Sequence, residues 1–174
     1  MTIRDGIFDV EGATLTRAAN ATPYGANDSI SNNATAGSVS ALSTGDLADI
    51  SDALIWLKEV LLKTTDTGPS TASATIRCHI FNSNPTANSG VVGGDNAAWS
   101  NKQAGWIGSL SGTMRAFSDG GRGILVPDEG NIRIVAPVSG AKNFYYQLQT
   151  LTAFTPSGNS TTFTPTFKGL LSRL

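Results

Sequence analysis

The chain has one histidine and one cysteine, His79 and Cys78, adjacent in the run Thr75-Ile76-Arg77-Cys78-His79-Ile80-Phe81. These residue types supply a thiolate and base pair, or part of a metal site. The run is rich in β-branched and aromatic residues and reads as a strand, where successive side chains point to opposite faces. Cys78 and His79 are therefore expected on opposite sides of a sheet, with His79 an ordinary strand histidine, hydrogen-bonded or partly exposed. One Cys and one His also fall short of the four N/S ligands of a structural zinc site. The carboxylates form three groups: Asp5, Asp9 and Glu11; Asp46, Asp49 and Asp52; and Asp128 with Glu129. No pattern marks a pair facing each other across a cleft, as glycoside hydrolysis needs, and the middle group does not match a calcium-loop spacing. Solvated turns and element starts account for them. The glycine clusters Val92-Gly93-Gly94-Asp95 and Gly120-Gly121-Arg122-Gly123 lack the Gly-Lys-Ser/Thr ending and the Gly-x-Gly-x-x-Gly spacing of phosphate loops, so they read as turns. Trp56, Trp99, Trp106, Tyr24, Tyr145 and Tyr146 could form a sugar-stacking platform, though core or interface filling is the plainer account. The expectation is a protein that is not an enzyme and needs neither cofactor nor metal.

Composition narrows the class further. Charged residues make up 14% of 174 residues, against about 25% in ordinary soluble domains. Ser, Thr, Asn and Gly fill the difference, which suits strands and turns. A net charge of −1 provides no basic field for a polyanion, so nucleic acid is not an expected partner. The longest apolar runs, Leu54 to Leu57 and Val60 to Leu62, are far short of the ~20 residues of a membrane-spanning helix. The residues after Met1 lack the apolar stretch of a signal peptide, so the sequons at Asn20, Asn27, Asn33 and Asn159 carry little weight. A single cysteine fits synthesis in a reducing cytosol.

The elements that must position these residues are short strands at intervals of about ten residues, separated by turn formers. Ile3 to Leu15 suits one or two strands, Asn20 to Asn33 a loop, and Ser38 to Leu42 a strand. Ile50 to Lys63 is open: Ile50, Leu54, Leu57 and Leu61 follow helical spacing, while Leu54, Trp56, Val60 and Leu62 follow period two. A hairpin with Thr75 to Phe81 favours the strand. Asp95 to Asn101 suits a single helical turn. Further strands are expected at Gly105 to Leu110, Thr113 to Phe117, Gly123 to Val126, Asn131 to Pro137, Asn143 to Phe154 and Thr161 to Leu171. Phe144, Tyr146, Leu148 and Thr150 share one face of their strand. Phe163, Pro165 and Phe167 alternate with threonines, and Pro165, lacking an N–H, belongs at an edge or bulge. The expected fold is all-β, an antiparallel, jelly-roll-like β-sandwich with long loops, spanning residues 1–174 as one domain. Residues 1–11 and 170–174 are candidate terminal arms or, equally, an edge strand and a tail.

Three stretches carry a family resemblance: TRAANATPYGANDSISNN (Thr16 to Asn33), IRCHIFNSNPT with GDNAAWS (Ile76 to Ser100), and LQTLTAFTPSGNSTTFTPTF (Leu148 to Phe167). The chain resembles small virion proteins of tailed bacteriophages. In that group a Thr-Arg-Pro-Ala stretch precedes Thr-x-Tyr-x-x-Gly-Asp-Val-like residues, a strand ending Leu-Phe-Asn leads to Pro-Thr and Asp-Asn-Ala-Ala, and the chain closes near Phe-Thr-Pro. Here Ala18 replaces the proline and Asn27-Asp28 stands where Gly-Asp is usual. The resemblance implies a β-sandwich and a place on the outer surface of the phage head as a capsid decoration, or cement, protein. Its implied partners are the major capsid protein and further copies of itself, as a trimer or dimer. It would be made in the host cytoplasm and reside in the virion. A tail, neck or head-fibre component is the alternative within phage proteins, and a carbohydrate-binding module the alternative outside them.

The composition agrees with an adhesive role, since neutral hydrogen-bonding groups reach a partner at modest desolvation cost and a repeated lattice adds avidity. The docking elements are expected in loops and termini, above all in the Asn82 to Asn101 loop, with Trp99 as an anchor. Candidate interface residues are Tyr24, Asn27, Asp28, Asp95, Asn96, Trp99 and Trp106.

Overall fold

The computed structural model describes residues 6–18, 20, 22–40, 42–46, 53–68, 71–85, 93–100, 105–135 and 143–173. They form the strands β1 (Gly6–Glu11), β2 (Leu15–Thr16), β3 (Ser29–Ile30), β4 (Leu42–Asp46), β5 (Ala53–Thr64), β6 (Thr75–Phe81), β7 (Trp106–Thr113), β8 (Arg115–Phe117), β9 (Gly120–Pro127), β10 (Ile132–Val135), β11 (Asn143–Thr150) and β12 (Thr162–Arg173). Two single-turn 3-10 helices, Ala36–Ser38 and Thr71–Ser73, interrupt them. Every strand pairing is antiparallel, in the order β1-β12-β5-β9-β7-β6-β11-β3, with β2 on β12, β4 on β11, β8 on β9 and β10 on β5.

This one sheet folds over on itself into a sandwich. β9 is the corner: Gly121 to Leu125 pair with β5, and Val126 and Pro127 pair with β7. One layer is then β1, β2, β12, β5, β10, β8 and the start of β9. The other is β3, β4, β11, β6, β7 and the end of β9. Between them lies one core, with Leu57, Val60, Leu62, Phe163 and Phe167 from the first layer and Ile76, Cys78, Ile80, Leu110, Tyr146 and Leu148 from the second. Tyr146 leans on Phe167 at 5.7 Å between centroids, and its hydroxyl donates to the carbonyl of Ala13, tying the layers together. The close approach at the corner depends on Gly112, where a Cβ would sit 2.2 Å from the Ile124 carbonyl oxygen.

The segment left open between helix and strand is β5, and its pattern misleads for a physical reason. Ile55 and Leu57 are fully buried, and so are Val60 and Leu62, so the inward parity changes from odd to even. The change falls where the register against β12 shifts: Leu57 faces Gly169 and Glu59 faces Lys168, leaving Lys58 as an extra, bulged residue. Leu54 and Trp56 therefore belong to the outer face, and a period-two series joining them to Val60 and Leu62 crosses the bulge.

β12 keeps its expected alternation, with Phe163, Pro165 and Phe167 inward. It is an interior strand, and Pro165 lies at neither the edge nor the bulge expected for it, the register shift falling at Lys168 and Gly169. The Pro165 carbonyl accepts from Gly12 N at 2.9 Å, so its missing N–H faces the break between β1 and β2. No ladder bond with β5 is lost.

Other boundaries move. The strand expected from Ser38 begins at Leu42, after a 3-10 turn. Residues 95–100 form a turn closed by Ala97 N to Gly94 O, with Asn96 at φ 63°, instead of a helical turn. Gly120 and Gly121 open β9, and the turn before it is Ser118-Asp119. Within the candidate arms, Gly6–Glu11 is a strand paired with β12, and Leu170 to Arg173 complete β12. Residues 1–5 and 174, and Asp49 and Asp52, lie outside the described residues.

Candidate functional site

The second layer has an outer face that is also covered. On β11, Gln147 and Gln149 point away from the core yet are buried. The segment 22–31 runs along its edge, pairing with β11 through Ser29 and Ile30 and bridging from Tyr24 to Phe154. The segment 93–100 joins this edge through Asn96 N to Ser29 O, Ser29 N to Ala97 O and Trp99 N to Asn27 O, all 2.8–3.0 Å.

Aspartates staple these loops. Asp95, buried, accepts from the Tyr24 hydroxyl at 2.5 Å, from Ser31 N at 3.1 Å and from Arg17 Nη2 at 3.2 Å. The Arg17–Asp95 ion pair is closed to solvent on both sides, and the Arg17 guanidinium also donates to Tyr24 Oη while lying 4.5 Å from the ring centroid. Burial first, then the Asp95 charge, push the Tyr24 phenol far above its ordinary range, so it stays a donor. Asp28 accepts from Gly25 N at 2.6 Å and bridges to Ala98. Asn27 takes the left-handed φ of 68° that its short polar side chain tolerates.

At the centre of the face is His79. Trp99 stacks on it, with centroids 4.1 Å apart and planes 13° apart. His79 Nε2 lies 3.0 Å from Gln149 Oε1, and Trp106 Nε1 donates to His79 Nδ1 at 3.2 Å. An indole N–H can only donate, so Nδ1 is the acceptor and the proton sits on Nε2. Burial lowers the His79 pKa to about 4; Gln149 and Asp128 oppose that shift and Arg77 adds to it. Next to it on the same face, Asp128 accepts from Arg77 Nε at 3.0 Å and Ser109 Oγ at 2.6 Å, and also from Ser111 Oγ. Burial alone would raise the Asp128 carboxyl, but the Ser109 and Ser111 hydroxyls and Arg77 hold it below its ordinary value. Asp128 is an exposed turn residue, as expected, and also a fixed acceptor.

Cys78 and His79 do face opposite ways. Cys78 is fully buried in the core, and burial pushes its thiol well above its ordinary range, which keeps it protonated and unreactive. Among the described residues no three His, Cys, Asp or Glu side chains gather as a metal ion would require.

The seven residues singled out from sequence, Tyr24, Asn27, Asp28, Asp95, Asn96, Trp99 and Trp106, thus belong to one continuous network. Tyr24 and Asp95 are buried within it, Trp99 is half-buried against His79, and Trp106 is exposed. Sequence reasoning missed Arg17, Gln149, Ser109 and Ser111. Their only signal was position: Ser109 and Ser111 alternate on β7 opposite His79 and Arg77. No protein-family model, no curated protein and no solved structure matches the chain.

The outer face of the first layer is different. Ile7, 85% exposed, pairs with Leu170, which pairs with Trp56. Further along, Leu61 pairs with Ile124, 58% exposed, beside Val126 and Phe117, which are also exposed. A groove of about 810 Å³ runs here between Leu61, Met114, Phe117 and Ile124, with Arg115 and Arg122 on its rim and no carboxylate in its lining. Between the two apolar rows Lys168 lies 3.7 Å from Asp9 and 3.6 Å from Glu59.

Proposed function

We propose that the protein is a structural, non-enzymatic virion component that binds the outside of a phage head as a decoration protein. The observation that carries the binding role is the exposed apolar surface on the first layer: Ile7, Leu170 and Trp56 in one cross-strand row, Leu61 and Ile124 in another. Side chains of this kind gain nothing for an isolated sandwich and are what a partner surface buries. The assignment of that partner as the major capsid protein comes from the sequence resemblance. Docking on this reading uses the sheet face more than the loops; of the Asn82 to Asn101 loop, residues 86–92 and 101 lie outside the described residues.

The Asp9–Lys168–Glu59 group between the rows supplies polar register, which favours one orientation over others. Repetition over a lattice multiplies modest single contacts. The test is co-sedimentation of the purified chain with empty heads assembled from the major capsid protein of the phage that encodes it. Saturable binding that weakens at least about tenfold in folded Ile124→Asp and Leu170→Asp variants is the expected result. A chain that stays in the supernatant, or folded variants that bind as well as the parent, would overturn the reading.

A further inference from the structure

We propose that the cleft beside Trp106 binds one uncharged pyranose ring of a saccharide. The cleft, about 290 Å³, lies between the first half of β7 and the turn leading to β10, and its lining includes Trp106, Ser109, Asp128, Glu129, Asn131 and Ile132. The cleft bridges the two layers, β7 on one side and the start of β10 on the other, and none of Ile7, Leu61, Ile124 and Leu170 of the proposed capsid-binding face lines it.

A pyranose offers a flat array of C–H groups on one side and a rim of vicinal hydroxyls. Recognition needs an aromatic face for the first and fixed donors and acceptors for the second. Trp106 is 49% exposed, and its ring is held before any ligand arrives. Its Nε1 donates to His79 Nδ1 at 3.2 Å, and His79 is itself held by Gln149 at 3.0 Å and by the Trp99 ring at 4.1 Å. An indole whose only polar atom is satisfied behind it presents a clean stacking face and loses little freedom on binding.

The polar side of the cleft is equally prepared. Asp128 is oriented by Arg77, Ser109 and Ser111, with Ser111 the one donor to Oδ1 among the described residues, so that oxygen has a lone pair to offer a hydroxyl. Asn131 Oδ1 accepts from Lys58 Nζ at 2.6 Å, which leaves the Asn131 N–H₂ group as a donor. An acceptor and a donor side by side match two neighbouring hydroxyls, each of which can give and take a hydrogen bond. The lining carries two carboxylates, Asp128 and Glu129, against one cation, Arg133, a balance that disfavours a phosphate or sulfate ligand.

The experiment is a screen of the whole chain against immobilised neutral mono- and oligosaccharides, followed by an NMR titration with the best binder. Binding is expected to weaken at least about tenfold in Trp106→Ala and in Asn131→Leu, and less in Trp106→Phe, which keeps a smaller stacking ring. Phe117→Ala, exposed and outside the cleft lining, should bind as the parent does. Trp106→Ala should still co-sediment with heads, which separates this proposal from the capsid reading. The proposal is overturned if no neutral saccharide shifts the spectrum. It is overturned equally if Trp106→Phe and Asn131→Leu, both folded, bind with the parent's affinity, or if Phe117→Ala abolishes binding.

Discussion

Acid should loosen this protein through one residue. His79 has a folded pKa lowered to about 4 from 6.5, chiefly by burial, and it is the only histidine in the chain. Above pH 6.5 the imidazole is neutral in both states and titration costs nothing. As pH falls below 6.5 the unfolded chain takes up a proton that the folded one refuses, so stability declines until pH reaches the folded value near 4. At about 1.36 kcal/mol per pH unit, the whole window amounts to ~3 kcal/mol, a large share of a typical domain's stability. Protonation is resisted for a stereochemical reason as well: a proton on Nδ1 would meet the Trp106 N–H that now donates to it. Asp128, with its carboxyl lowered, loses its contribution in the same direction, but only at and below the ordinary carboxylate range. The interval from pH 6.5 to 4.5 therefore belongs to His79. Urea unfolding at half-unit pH steps should show a slope there of about 1.4 kcal/mol per pH unit, absent in His79→Gln, and the His79 ring protons should titrate near 4 by NMR. Equal slopes in the two proteins, or a ring that titrates at 6.5, would refute the reasoning.

Three further outcomes follow from buried groups. Gln147 is fully buried with neither amide atom hydrogen-bonded, so Gln147→Met, similar in shape, should raise stability by ~1 kcal/mol, seen as a melting temperature higher by about 2–4 °C. Asp95→Ala strands Arg17 in the interior and should cost roughly 3–5 kcal/mol in denaturant unfolding, with a marked coupling to Arg17→Met in a double-mutant cycle. Cys78, fully buried with its thiol held protonated, should react with a thiol reagent only as fast as the chain opens; a rate matching that of a free thiol would contradict the burial.

The all-β class and most strands were legible because turn formers punctuate the chain and because β11 and β12 alternate cleanly. Legibility failed where one residue breaks a period. Lys58 bulges out of β5, reverses its parity, and leaves a segment in which helical and strand patterns both look plausible. Pro165 was read as an edge marker, and its neighbour across the sheet is indeed missing, but only locally, in the gap between β1 and β2. The candidate site was legible as a set of residue types in loops. That Tyr24 and Asp95 would meet in the interior, some seventy residues apart, depends on Arg17 joining them. No spacing rule encodes such a contact. Likewise His79 looked like any strand histidine, because a covered outer face is produced by loops folding back, and local sequence cannot report that.

The two outer faces divide the work of the sandwich. Covering one face with loops costs the conformational freedom of those loops, and here aspartates repay it by satisfying loop N–H groups and hydroxyls: Asp28 at Gly25, Asp95 at Ser31 and Tyr24, Asp128 at Ser109 and Ser111. The result is a rigid polar layer in which Trp99, His79 and Trp106 hold one another in place. Among the described residues no loop covers the opposite face, and its apolar rows are open at Ile7, Leu170 and Ile124. Burying them at about 25 cal/mol per Å² would supply the driving force of a protein interface, whereas a loop placed over them would consume it. A chain with few charges can leave such a face open without inviting strong non-specific attraction to polyanions. The proposed adhesive role and the proposed saccharide cleft are therefore compatible, because none of Ile7, Leu61, Ile124 and Leu170 lines the cleft.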